Sequence, residues 1–156
     1  MIVVTVGTQL PFDRLIKMID ELAPELSTPV FAQTGISGYV PTNVRHQANI
    51  GPQEFEALMR DASVIVAHAG IGTVLKAYKY HKPIILVPRR AALGEHRNDH
   101  QLATISQLRH RAGIHAAETK DELRTLLAGE LAPAIMTPDI EAKRIQLLDF
   151  VKQQLG

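Results

Sequence analysis

The sequence predicts an α/β fold, a parallel sheet of about six strands with helices on both faces, and two observations carry that reading. Short apolar, β-branched runs alternate with amphipathic stretches from one end of the chain to the other. In Val64-Ile65-Val66-Ala67 and Ile84-Ile85-Leu86-Val87 every residue is apolar, which suits strands covered on both sides. The 156 residues show no linker composition, repeat or low-complexity stretch. Residues 1–156 therefore read as a single Rossmann-like domain, large enough to bury about two-thirds of its unfolded surface.

Taken in order, a strand is expected over 2–6 and a helix over 12–22, where Leu15, Ile16 and Ile19 share a face and Asp13 sits in the first turn. A strand follows over 29–34. The segment 35–42 carries glycine, serine and proline without periodicity and reads as a loop, either overhanging a site or simply connecting two elements. Strands over 44–50, 63–67, 83–87 and 112–116 then alternate with helices over 52–60, 71–80, 97–109 and 119–128. A last helix is expected over 139–155, with Ile145, Leu148, Val151 and Leu155 on one stripe.

Composition narrows the functions. A formal net charge of +1 and sparse, scattered aromatic residues argue against a nucleic-acid binder. There is no cysteine, which removes disulfides, thiol nucleophiles and cysteine-based metal sites and suits a reducing cytoplasm. The apolar start Met1 to Val6 is too short for a signal peptide, and no run approaches the roughly 20 apolar residues of a spanning helix. A soluble, cytoplasmic protein is expected.

The stretch from Val64 to Thr73 is a buried strand that ends at His68-Ala69-Gly70-Ile71-Gly72-Thr73 and enters a helix. Small residues let the backbone N–H groups at a helix start approach an anion, and the helix dipole adds about half a positive charge there. This suits a phosphate. The same turn also serves plain helix–sheet packing. A second strand ends in Pro88-Arg89-Arg90, followed by Gly94-Glu95-His96-Arg97-Asn98-Asp99-His100-Gln101. In open α/β sheets ligands bind outside the carboxyl ends of the strands, so these loops should line one site, joined by Gly7, Thr8 and Gln9 after the first strand.

Each candidate has a functional and a structural reading. His68 could donate to a phosphate as a neutral imidazole, stabilise a leaving diphosphate as a cation, or be a partly buried histidine bonded to backbone. Arg89 and Arg90 could fork onto a diphosphate or a sugar carboxylate, or lie on the surface. His96 and His100, four apart, could share a helix face and ligate zinc, but no third ligand is evident and no metal is expected.

In order and spacing, Val3-Val4-Thr5-Val6-Gly7-Thr8-Gln9, Phe12-Asp13, Leu15-Ile16, Gln33-Thr34-Gly35, His68-Ala69-Gly70, Pro88-Arg89-Arg90 and His100-Gln101 follow one pattern. The sequence resembles the glycosyltransferase family 28 C-terminal domain, the nucleotide-sugar-binding half of a GT-B fold, and most of all its small separate subunits of the Alg13 and PssE type. The resemblance implies an inverting hexosyltransferase subunit that takes a UDP-sugar, such as UDP-glucuronate, UDP-glucose or UDP-galactose. The acceptor would be a lipid-linked saccharide of exopolysaccharide or capsule synthesis.

Neither metal nor cofactor is implied. The donor would be held by Gly7, Thr8, Gln9, Thr34, the turn His68, Ala69, Gly70, Ile71, Gly72 and Thr73, by Pro88, Arg89 and Arg90, and by Glu95, His96, Asn98, His100 and Gln101. His68 would stabilise the leaving group. A membrane-anchored partner of the PssD or Alg14 type would hold the acceptor and bring the chain to the inner face of the membrane. The general base stays open between Asp13, Glu95, His96 and the partner. One departure stands out: where peptidoglycan-type relatives place a ribose-binding glutamate, this chain has Lys76. Two rival readings are a non-catalytic regulatory subunit that binds nucleotide-sugars and a relative of sugar-nucleotide epimerases.

Overall fold

β1 (Ile2–Thr5) runs through the middle of a six-stranded sheet in the computed structural model, which describes residues 1–135. It pairs with β2 (Val30–Gln33) on one side and β4 (Val64–His68) on the other. β3 (Arg45–Gln47) extends the first side, and β5 (Ile84–Val87) and β6 (Ile114–Ala116) the second. All pairs are parallel, in the order β3-β2-β1-β4-β5-β6. The chain order reverses between β1 and β4, so the loops after them part and leave a crevice at the carboxyl edge.

Side chains alternate across the strands, and the core divides accordingly. Val4, Val66, Ile85 and Val87 face α1 (Asp13–Leu22) and α5 (Lys120–Ala128). Val3, Ile65, Ala67, Ile84 and Leu86 face α2 (Pro52–Asp61), α3 (Ile71–Tyr80) and α4 (His100–Leu108). Each fully buried isoleucine or leucine stabilises the fold by about 1.5–3 kcal/mol, and α1 alone buries Leu15, Ile16, Ile19 and Leu22 completely.

Among the described residues the expected elements are present, with shifted ends. The edge strand expected over 44–50 is only Arg45–Gln47, exposed along its length; beyond it Ala48 O accepts from Gly35 N–H and from the Gln33 side chain rather than from the backbone of β2. α4 begins at His100 rather than 97, since Asn98 Oδ1 accepts from His100 N–H at 3.1 Å and Asp99 Oδ1 from Ala91 N–H at 2.9 Å, holding 97–99 in a turn. His96 therefore precedes the helix, and the shared helix face with His100 does not form. α5 is capped by Thr119, whose Oγ1 accepts from Glu122 N–H at 3.1 Å. The helix expected over 139–155 lies outside the described residues.

The connection from β2 to β3 contains no helix, and buried Asp20 of α1 organises it. Its carboxylate accepts from Tyr39 Oη (2.7 Å) and from the N–H groups of Thr42 (3.0 Å) and Asn43 (2.7 Å). Burial alone would raise its pKa, but these hydrogen bonds outweigh burial and the net shift is downward. Upstream, Ser37 Oγ and Gly38 N–H donate to Asp13 Oδ1, at 2.9 and 3.2 Å. The loop is pinned along α1 and does not line the crevice.

Candidate functional site

His68 closes β4 at the crevice, with its ring between two glycines. A Cβ on Gly70 would fall 2.5 Å from His68 Cε1, and one on Gly7 would fall 3.1 Å from Nε2. Gly7 also has φ +79°, a left-handed conformation that disfavours any side chain. Burial, with Arg89 and His96 adding positive charge nearby, pushes the His68 pKa down to about 3, so the ring is neutral at physiological pH.

The ring borders a cavity of about 260 Å³ at the ends of β1, β4 and β5. The loop after β1 supplies Gly7, Thr8, Gln9 and Leu10, and the turn after β4 supplies Ala69, Gly70 and Ile71. Arg89, His96, His100, Gln101 and Thr104 complete the wall. Gly70 is the N-cap of α3 without a side-chain cap, which leaves the amides of Ile71, Gly72 and Thr73 without intrahelical acceptors. Among the described residues no carboxylate lines this cavity.

Arg89 is 3% exposed. Its Nη2 donates to Val6 O (2.5 Å) and Leu10 O (2.8 Å), and its guanidinium lies 5.0 Å from the centre of the Phe12 ring. Burial lowers its pKa to about 10, so it stays cationic. Arg89 is thus a strut under the β1 loop as well as a wall of the cavity. From the other side, Gln33 Nε2 donates to Gly7 O (3.1 Å) and Ala48 O (2.8 Å), while its Oε1 accepts from Thr5 Oγ1 (2.8 Å).

A second cavity, of about 250 Å³, adjoins the first across Gly7 and Thr8. Ile50, Pro52 and Phe55 make it largely apolar, and Gln33 and Thr73 add polar groups.

The remaining candidates lie outside both cavities. Glu95 receives Arg14 in a two-pronged ion pair, Nε to Oε2 at 2.9 Å and Nη2 to Oε1 at 3.0 Å, and also accepts from Arg90 N–H. The Arg90 side chain pairs with Glu118. Pro88 offers its carbonyl to Arg14, Thr34 bonds Gln47 O, and Asn98 caps the turn into α4. Gly72 faces open space. Lys76, at the departure from the peptidoglycan-type pattern, joins Tyr80 in binding Glu56, whose pKa falls to about 2 chiefly through those two hydrogen bonds.

The family model of the glycosyltransferase family 28 C-terminal domain matches residues 1–138. The chain belongs to this family. Solved structures agree on the fold. An NMR solution structure of ALG13 is 15% identical, with a TM-score of 0.63, over 97% of this chain and 96% of that one. The crystal structure of MurG from Acinetobacter baumannii is 20% identical, with a TM-score of 0.58, over 81% of this chain and 40% of that one. The glycosyltransferase VinC, crystallised with dTDP, is 19% identical, with a TM-score of 0.53, over 97% of this chain and 37% of that one. The chain spans about two-fifths of the length of MurG and of other glycosyltransferases it matches. No curated protein matches the sequence.

In this family 28 domain the motif residues Gly7, Thr8, Gln9, His68, Ala69, Gly70, Arg89, His100 and Gln101 come together at one cavity, from four separate segments. Sequence reasoning missed Gln33 and Arg14 as organisers. Gln33 does carry a signal in the sequence, a polar residue at the end of an apolar strand. Arg14 gave none, because its partners Glu95, Pro88 and Glu118 are distant in sequence.

Proposed function

We propose that this chain is the donor-binding subunit of an inverting glycosyltransferase, taking a UDP-sugar and passing the sugar to a lipid-linked saccharide held by a membrane-anchored partner. One observation carries the reading: a neutral imidazole and the uncapped start of α3, entering through Gly70 and Ile71, meet at a cavity in whose wall no carboxylate stands among the described residues. Two buried polar atoms of cavity-lining residues, Arg89 Nε and His100 Nδ1, have no hydrogen-bond partner among the described residues.

The diphosphate occupies the His68 cavity and the base the adjoining apolar one, where Phe55 offers an aromatic face and Gln33 and Thr73 offer hydrogen bonds. As the bond from the sugar to the diphosphate breaks, negative charge grows on the leaving oxygen. The α3 amides, the His68 N–H and the Arg89 cation stabilise it without a metal. Of the candidate bases, Asp13 holds Ser37 and Gly38, and Glu95 holds Arg14. His96 lines the cavity, and burial followed by the positive charge of Arg89 keeps its pKa below the ordinary histidine value. It is therefore neutral at pH 7 and is this chain's remaining candidate to accept the acceptor's proton, with the partner as the other source.

The activity and the partner are tested by reconstitution. The purified chain and membranes carrying the partner are assayed, separately and together, for transfer of labelled sugar from UDP-sugars to lipid. Transfer is expected only on mixing, and robust transfer by the purified chain alone overturns the partner requirement.

A further inference from the structure

We infer that Gln101 is a positioning residue, which locks His68 in the tautomer that carries its proton on Nε2 and aims that N–H at the ligand. The constraints begin at the backbone. Gln101 Oε1 accepts from two amides, Arg89 N–H at 2.8 Å and Ala69 N–H at 3.3 Å. Turning the side-chain amide over would set its NH2 group against both donors, so its orientation is fixed. The NH2 group then faces His68 Nδ1 at 3.4 Å, and an amide nitrogen only donates.

Nδ1 must present its lone pair, and a neutral imidazole in that state keeps its proton on Nε2. Nε2 lies beside Gly7 on the cavity wall. The Arg89 guanidinium opposes a second proton on the ring. Gln101 itself is 7% exposed and its oxygen is occupied by the two amides, which leaves it no means of accepting from a sugar hydroxyl. It acts through His68. The two amides it gathers open the turn after β4 and the loop after β5, so one side chain sets both the registry of these loops and the proton on the ring.

The lock is a property of the free protein, and only its consequence for affinity rests on the nucleotide-binding reading above. The full chain, with ¹⁵N-labelled histidine, is examined at pH 7 by long-range ¹H–¹⁵N correlation, with His68 identified by its loss in His68→Asn. The wild type should show Nδ1 bare and Nε2 protonated. Gln101→Glu keeps an oxygen for the two amides but puts a second acceptor opposite Nδ1, so Nδ1 should now carry a proton. Gln101→Met removes the donor and should populate both tautomers.

UDP affinity should fall about ten-fold or more in Gln101→Glu. A wild-type His68 protonated on Nδ1, or averaging between tautomers, overturns the inference. So does an unchanged tautomer in folded Gln101→Glu or Gln101→Met. Should the spectra behave as expected while UDP binds to no form, the lock stands and the nucleotide-binding reading falls.

Discussion

Gly70 has no room for a side chain because His68 Cε1 stands 2.5 Å from where its Cβ would be, whereas a Cβ on Gly72, two residues on, would meet nothing. The two glycines therefore do different work. Gly70→Ala must displace the His68 ring and should lower UDP affinity at least ten-fold. Gly72→Ala should raise helix stability by about 0.5–1 kcal/mol and leave UDP affinity within about two-fold, because Gly72 lines neither cavity and its methyl group meets nothing. Thermal melts beside UDP titrations separate these effects. A Gly72→Ala protein that is stabilised but binds UDP ten-fold more weakly would place the phosphate over the second residue of α3, outside the His68 cavity.

Glu95 is expected to matter for stability more than for ligand. Its pair with Arg14 is partly buried, with side-chain exposures of 11% and 23%. Glu95→Gln should cost about 1–2 kcal/mol in denaturant unfolding, the scale of a charged hydrogen bond discounted for partial exposure. UDP affinity should shift little. A stable variant with sharply weakened UDP binding would restore Glu95 as a ribose ligand.

The two neighbouring arginines should separate cleanly. Arg89→Met removes the strut under Val6 and Leu10 and should weaken UDP, UDP-glucose and UDP-glucuronate alike, with a fall in melting temperature. Arg90→Met breaks only the half-exposed pair with Glu118 and should change none of the three by more than about two-fold. A selective loss of UDP-glucuronate in either variant would mean that the arginine reads a sugar carboxylate.

Acid should destabilise the fold through its histidines. The pKa of His68 is pushed to about 3, and burial lowers those of His96 and His115 as well. Below the ordinary value of about 6.5 the unfolded chain therefore binds more protons than the folded one, and stability rises with pH across the window from about 3 to 6.5. Above it these groups contribute no slope. Melting temperatures measured from pH 4 to 8 should fall on the acid side, and more gently in His68→Asn. A melting temperature that rises on acidification contradicts the neutral assignment.

Much of this was legible in the sequence because parallel strands buried on both faces must be apolar throughout. Val64 to Ala67 and Ile84 to Val87 mark the centre of the sheet, and strands end where glycine or polar residues begin. The site followed from topology, since loops after β1, β4 and β5 share one edge. Hidden from the sequence were contacts whose partners are remote along the chain. Arg14 with Glu95, Asp20 with the loop 39–43, and Arg89 with the carbonyls of Val6 and Leu10 have no local period or spacing to betray them. The boundary of α4 moved for a local reason, the Asn98 and Asp99 side chains competing for backbone groups.

Calorimetric titration of the full chain with UDP in the presence of EDTA asks most directly whether the His68 cavity binds the diphosphate of a nucleotide-sugar without metal. Saturable binding is expected that EDTA leaves unchanged and that His68→Ala weakens by about 1–3 kcal/mol, the cost of removing a hydrogen bond to a charged group. Absence of binding, or equal affinity in wild type and His68→Ala, would contradict it.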